Sequence, residues 1–233
     1  MALAGTAVLA IWNGIAPEAE EEFVAWHVRE HIPERVGLPG FLRGRRYVAT
    51  EGHPKYFNFY ETETISDLSS PAYLTRLDSP SPWTKAVVAH FTDTSRTICK
   101  VALSKGQGDG AAMMTVRFST AREPQSFIER LQATADKALG IAGIVGFHLL
   151  QGDSAASNRQ TAEKKLRDRA DEIAAWILLI EAVDLQALER LEKKLSLGEV
   201  LTGHGADPEQ RGGIYALQYA LSASQLPPKF PDR

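Results

Sequence analysis

Cysteine is nearly absent: Cys99 stands alone among 233 residues. No intrachain disulfide can form, and a reducing compartment suits the chain. Its setting in the run Thr97-Ile98-Cys99-Lys100-Val101 favours a packed small side chain over a reactive thiol. Long apolar runs are missing too, and nothing reaches the ~20 residues that a bilayer-spanning helix needs. Residues 1–12 are apolar but carry no basic segment or cleavage site, so they read as a first strand rather than a secretion signal. A cytoplasmic protein without membrane contact is expected. No Asn-x-Ser/Thr acceptor occurs. Charge of neither sign dominates: the net charge is −3 and the pI is near 6.1. That argues against a general nucleic-acid binder, which needs a basic surface to neutralise phosphate. A hydrophobic content of 44% and a charged content of 24% are those of an ordinary globular protein.

What is present is an internal echo. The apolar strand Ala7–Trp12 recurs as Met113–Phe118, and Gly37-Leu38-Pro39-Gly40-Phe41 recurs as Gly143-Ile144-Val145-Gly146-Phe147, both at an offset of 106 residues. Tyr56–Glu61 recurs as Trp176–Glu181, 120 residues on, so the second half carries about fourteen extra residues. They fall in the polar stretch Ser154–Asp171, where residues 161–171 contain good helix formers. Each half reads strand, helix, strand, strand, helix, strand. The first half places strands near 5–14, 41–50, 55–63 and 96–104; the second near 112–119, 144–151, 175–183 and 213–221, with helices over 123–140 and 185–197. Ser104–Gly110 reads as a linker, giving domains 1–105 and 111–225. The tail Pro227–Pro231 is expected to run over the surface. A βαββαβ half is the ferredoxin-like split motif, whose sheet needs cover on its second face. Two such sheets in one chain can cover each other.

The chemistry concentrates in Trp26-His27-Val28-Arg29-Glu30-His31-Ile32-Pro33. Two imidazoles four residues apart share one helix face. Pro33 disfavours helical geometry at Ile32, so regular helix should weaken near His31. His27–His31 also matches H-x-x-E-H, but a peptidase of that type needs a further acidic ligand downstream, and no glutamate lies between Glu63 and Glu123. On the second strand, alternation puts Arg43, Arg45 and Tyr47 on one face and Gly44, Arg46 and Val48 on the other. Gly44 would leave room for Arg46 to reach a cavity. The third strand puts Tyr56, Asn58, Tyr60 and Thr62 on one face; they either orient an aromatic ligand or pack between sheets. Asn13 ends the first strand, and Trp83, Val87 and His90 fall at helical spacing, where they could wall a pocket. The 106-residue offset sets Ala133 and Lys137 opposite His27 and His31, so the second half reads as scaffold.

Trp26, His27, Glu30-His31-Ile32-Pro33, Pro39-Gly40-Phe41 and Lys55-Tyr56 through Tyr60-Glu61 resemble the dimeric α+β barrel superfamily, in particular its EthD-like and stress-responsive members. The resemblance implies an α+β fold of two tandem ferredoxin-like domains whose antiparallel sheets form one barrel. It also implies a small-molecule enzyme, among cofactor-free monooxygenases, isomerases, lyases and decarboxylases. On this reading no cofactor is required. His27 would be the general acid or base and His31 its orienting or relay partner. Arg46 would hold an anion, and Tyr60 or Asn13 would stabilise developing negative charge. Trp26, Arg43, Tyr56, Asn58, Trp83 and His90 would contact an aromatic or carboxylated substrate. Two other readings stay open: a non-catalytic ligand-binding protein, and a haem or metal protein using His27 and His31. An uncovered sheet edge would favour a homodimer.

Overall fold

Strand-forming runs of alternating or continuous apolar residues define eight strands in the computed structural model, which describes residues 3–167 and 169–227. They are β1 (Ala7–Ile15), β2 (Phe41–Gly52), β3 (Tyr56–Thr62), β4 (Phe91–Gly106), β5 (Ala112–Phe118), β6 (Ile144–Gly152), β7 (Trp176–Ala182) and β8 (Arg211–Ser222). All ladders among them are antiparallel. The order β1-β3-β2-β8-β5-β7-β6-β4 closes on itself as a barrel, which leaves no free edge among these eight strands. The expected α+β fold is therefore present. The halves interlock: β2 of the first pairs with β8 of the second, and β4 with β6.

The residues predicted as a linker contribute to this closure. β4 continues through Gly106, with Ser104 opposite His148 and Gly106 opposite Gly146. Gly106 sits at a φ of 121°, where a Cβ would lie 2.0 Å from the Val145 carbonyl oxygen, so only glycine fits the close approach of the two strands.

The helices lie outside the barrel. In the first half α1 (Glu20–Trp26) passes through a π turn (His27–His31) into α2 (Ile32–Val36), and α3 (Pro71–Asp78) and α4 (Pro82–Val88) follow β3. Helical backbone continues past His31 despite Pro33, with Ile32 at φ −65° and ψ −48°. Proline has no N–H, and its ring crowds the carbonyl four residues back. The π turn accommodates this: the Ile32 N–H reaches back to the His27 carbonyl, a five-residue spacing.

The second half has α5 (Pro124–Leu139), α6 (Ser154–Ser157), α7 (Leu185–Leu195) and α8 (Leu197–His204). Its insertion does not form the helix expected over 161–171. Beyond α6 its described residues hold only a 3-10 turn at Lys164–Leu166. Thr161, Glu163 and Asp171 are buried there, tied down by bonds such as Ala162 N–H to Asp78 Oδ1 and Arg167 to Asp171. The tail from 228 onward lies outside the described residues.

Alternation along the strands sorts the side chains into two layers. Trp12, Tyr47, Phe57, Phe59, Met113, Leu150, Ile177, Leu179 and Tyr215 fill the barrel interior. Within the same interior Arg45 links two buried carboxylates, with Nη2 3.2 Å from Glu61 Oε1 and Nη1 2.7 Å from Glu181 Oε2. The repeat is visible here, since Glu61 and Glu181 hold corresponding places on β3 and β7. The opposite face of β1–β3, carrying Asn13, Tyr56, Asn58 and Tyr60, turns to the helices and not to the second sheet.

Candidate active site

The π turn seats both imidazoles against this outer face of the first-half sheet. His27 and His31 are buried, with ring centroids 5.5 Å apart. Phe23 and Trp26 stack on His27 at 5.3 and 5.5 Å, and Trp26 packs on His31 at 4.3 Å. Trp26 is itself anchored by its Nε1–H, which donates to Thr84 Oγ1 at 3.2 Å.

Electrostatics fixes the state of His27. Arg46 Nη1 lies 3.2 Å from its Nδ1, and Tyr60 Oη lies 3.4 Å from its Nε2. A guanidinium only donates, so Nδ1 must accept and a neutral ring must carry its proton on Nε2. Burial, then Arg46 and Arg35, hold the His27 pKa well below the usual histidine value. His31 is likewise held low, by burial first and then by Arg35 and His27. Its Nδ1 is buried with no hydrogen-bond partner. Burial also drives the Tyr60 hydroxyl far above its ordinary range, so it remains a neutral donor. Asn58 Nδ2 donates to Asn13 Oδ1 at 3.0 Å, and the buried Asn58 Oδ1 has no hydrogen-bond partner.

These groups border a hollow of about 30 Å³, room for a water molecule or two. Of the residues predicted to act, His27, His31, Tyr60, Asn13, Trp26 and Asn58 line it. Five do not. Arg46 lies behind His27, its guanidinium between the Phe23 and Tyr56 rings at 4.6 and 4.4 Å, with Nε donating to Gln218 Oε1. The space beside Gly44 is not open to it: a Cβ there would meet Ile32 Cγ2 and the Tyr60 ring at 3.0 Å. Arg43 faces the barrel, paired with Glu61 and Asp109. The Tyr56 hydroxyl donates to Glu20 Oε1 at 2.6 Å, and burial pushes its pKa up to about 12. Trp83 reaches Glu22 at the surface, and His90 is exposed beyond the end of α4. That helix turns Thr84, Val87 and Val88 inward instead.

The remaining wall comes from residues the sequence reading did not single out. Arg35, one turn after His31, pairs with Glu34 at 2.7 Å and with Glu163 of the insertion. Arg96 and Thr94 alternate on β4, and Arg96 Nη2 donates to the Tyr73 hydroxyl at 2.9 Å. Period-two alternation on β4 could have flagged the arginine. Nothing local could have brought Glu163 and Arg167 across from the other half. The hollow adjoins an outer groove of about 880 Å³, with Phe91, Thr94 and Arg167 lining both.

A haem or metal does not fit this donor set. Both ring nitrogens of His27 are engaged, Arg35 and Arg46 crowd the imidazoles with positive charge, and the hollow is far smaller than a macrocycle. Among the described residues no three His, Cys, Asp or Glu side chains gather to hold an ion.

No family model matches the chain, and no curated protein matches it in sequence. Solved structures match it in shape. An anthrone oxidase-like protein aligns with a TM-score of 0.62 at 17% identity, over 94% of this chain and 93% of its own. A candidate monooxygenase from Fusobacterium nucleatum subsp. nucleatum aligns at 0.60 and 12% identity, over 94% and 96%. A candidate chlorite dismutase aligns at 0.57 and 13%, over 92% and 96%. At these identities the likeness shows the fold, a dimeric α+β barrel of ferredoxin-like units.

Proposed function

We propose that the chain is a cofactor-independent oxidase or monooxygenase of a small aromatic substrate with an acidic C–H or O–H group. The reading is carried by one observation, a buried imidazole, that of His27, whose Nδ1 faces the Arg46 guanidinium and whose Nε2 faces the Tyr60 hydroxyl. Such a ring is a donor for developing oxyanion charge, as are the Tyr60 hydroxyl and the Asn13–Asn58 amides beside it. His31 keeps an unpartnered ring nitrogen and is assigned as the base, so the geometry favours a division of labour opposite to the one expected from sequence. The substrate's ring system occupies the outer groove, whose volume suits a drug-sized ligand, and its reacting edge enters the hollow past Phe91.

The chemistry follows. His31 takes a proton from an activated methylene, and His27 and Tyr60 hold the charge that spreads onto the conjugated oxygen. The carbanion passes its electron pair to dioxygen and forms a C–O bond. Loss of the second methylene proton then cleaves the O–O bond, leaving a ketone and one water. Dioxygen is the oxidant, so electrons balance without a bound cofactor. Two shape relatives support this reading by their names, an anthrone oxidase-like protein and a candidate monooxygenase.

The test is oxygen uptake and quinone formation from anthrone by the purified chain, with absorption spectra and metal content recorded. His31→Gln should lower kcat by about 10²–10⁴-fold, and His27→Gln should do so with little change in affinity for the quinone product. Turnover no faster than in buffer, or unchanged in both variants, would remove the proposal.

A further inference from the structure

Arg96 is the cation of the hollow that has no acid of its own. Three guanidinium groups line the cavity. Arg35 is matched by Glu34 and Glu163, and Arg167 by Asp171 with contacts of 2.7 and 2.8 Å. Among the described residues no carboxylate comes within ion-pair distance of Arg96. Its one side-chain bond is to a neutral hydroxyl, that of Tyr73, through a single Nη2. A half-buried guanidinium with four of its five N–H donors uncommitted is incompletely paired. The two histidines add no further positive charge, because both are held neutral. Glu163 and Asp171 act on Arg96 only through space, and its remaining N–H donors have no partner among the described residues.

Its position gives that charge a use. Thr94 lies two residues before Arg96 on β4, on the same face, and Thr94 also borders the outer groove. Arg96 thus stands beside the neck between groove and hollow. From there a planar guanidinium can take a carboxylate or phenolate by paired N–H bonds, while the arene rests on Phe91 and its reactive edge points to His31. Glu163 on Arg35 blocks a second anion from the same hollow.

We propose that Arg96 is the anion anchor of this site and that its ligand is an aromatic monoanion, a carboxylate or phenolate. The inference rests on the hollow being the substrate site, but not on oxygen chemistry, and equilibrium binding separates the two. Benzoate and its neutral counterpart benzamide are titrated calorimetrically at neutral pH into the wild-type chain, Arg96→Gln and Arg96→Lys. Wild type should prefer benzoate. Arg96→Gln should weaken benzoate by about 10- to 100-fold and leave benzamide unchanged, and Arg96→Lys should recover part of the loss. The proposal is overturned if wild type binds benzoate no better than benzamide, if Arg96→Gln binds benzoate normally, or if it loses both probes alike. Loss of both would make Arg96 a packing residue. An inactive chain that still binds benzoate through Arg96 would refute the oxidase reading alone.

Discussion

Replacing Arg45 by methionine removes the charge that joins the halves inside the barrel. Arg45 is 1% exposed, and Glu61 and Glu181 are fully buried. Its Nη1 and Nη2 bond Glu181 at 2.7 and 3.0 Å, and its guanidinium stacks over Phe59 at 4.2 Å. Without it Glu61 keeps Arg43 and the Ala4 N–H, but Glu181 keeps only the Gly110 N–H and His148 at 3.4 Å. Stranding one member of a buried ion pair costs about 3–5 kcal/mol. With an unfolding entropy of about 2.1 cal/mol/K per residue, that is a drop in Tm of roughly 6–10 °C. The pH dependence gives a sharper signature. Burial pushes the Glu181 carboxyl up, but the nearby His148 ring and the hydrogen-bonded Arg45 guanidinium outweigh it and hold the pKa below the usual range. In the wild type its stabilisation is complete above the unfolded value and is lost as pH falls through the depressed one. In Arg45→Met the carboxyl titrates higher, so acid relieves the defect. Urea unfolding at pH 7 and pH 5 should show the gap between variant and wild type shrinking at the lower pH. A gap under about 1 kcal/mol at pH 7, or one that widens in acid, would refute the assignment of Arg45 as the required counter-charge.

Two further outcomes concern the histidines. Both pKa values are depressed, so their stabilisation is present above the unfolded value near 6.5 and is lost as pH falls through the native values. Stability below pH 6.5 should fall with a slope approaching about 2.7 kcal/mol per pH unit, and His27→Asn/His31→Asn should flatten it; an unchanged slope in urea titrations would count against neutral burial. His31→Leu removes a buried ring nitrogen that has no partner and should raise stability by about 1–3 kcal/mol while abolishing turnover, whereas a lowered urea midpoint would make His31 a structural residue.

Pattern carried the architecture and the centre of the site into view, because both rest on local periodicities. Strand alternation separated Arg45 from Arg46, and the i, i+4 spacing brought His27 and His31 together. What pattern missed is non-local. Arg46 was expected in the cavity because Gly44 looked like open space, yet that space is taken by Tyr60 and Ile32. Glu163 enters the wall from 128 residues beyond Arg35, carried by an insertion whose helix-forming composition yielded to side-chain anchoring. The π turn also escaped notice. A constant offset misplaces the histidines in the register of the repeat because the stretch from the first strand to the helix differs in length between the halves: Ala7 to Phe23 spans 16 residues and Met113 to Phe127 spans 14.

The aromatic contacts restore that register. Phe23 packs on Tyr56 with centroids 4.9 Å apart, and Phe127 packs on Trp176 at 5.5 Å. Tyr56 and Trp176 open the echoed strands, so Phe23 corresponds to Phe127, and His27 corresponds to Leu131 rather than to Ala133, which is exposed. Around Leu131 the second half is one continuous apolar cluster of Phe127, Ala135, Leu149, Trp176, Leu178 and Leu188. The same layer of the first half is split in two, with Leu9, Ile32, Phe41 and Tyr73 on one side and Phe23, Trp26, Tyr56 and Val87 on the other. His27, His31 and Asn58 occupy the seam. A fully buried leucine contributes about 1.5–3 kcal/mol, whereas a buried imidazole held neutral with unmet bonds contributes nothing comparable. The first half has therefore exchanged packing energy for a polar seam beneath a π turn, and the interlocked barrel, with its second-half core intact, supplies the stability that the exchange requires.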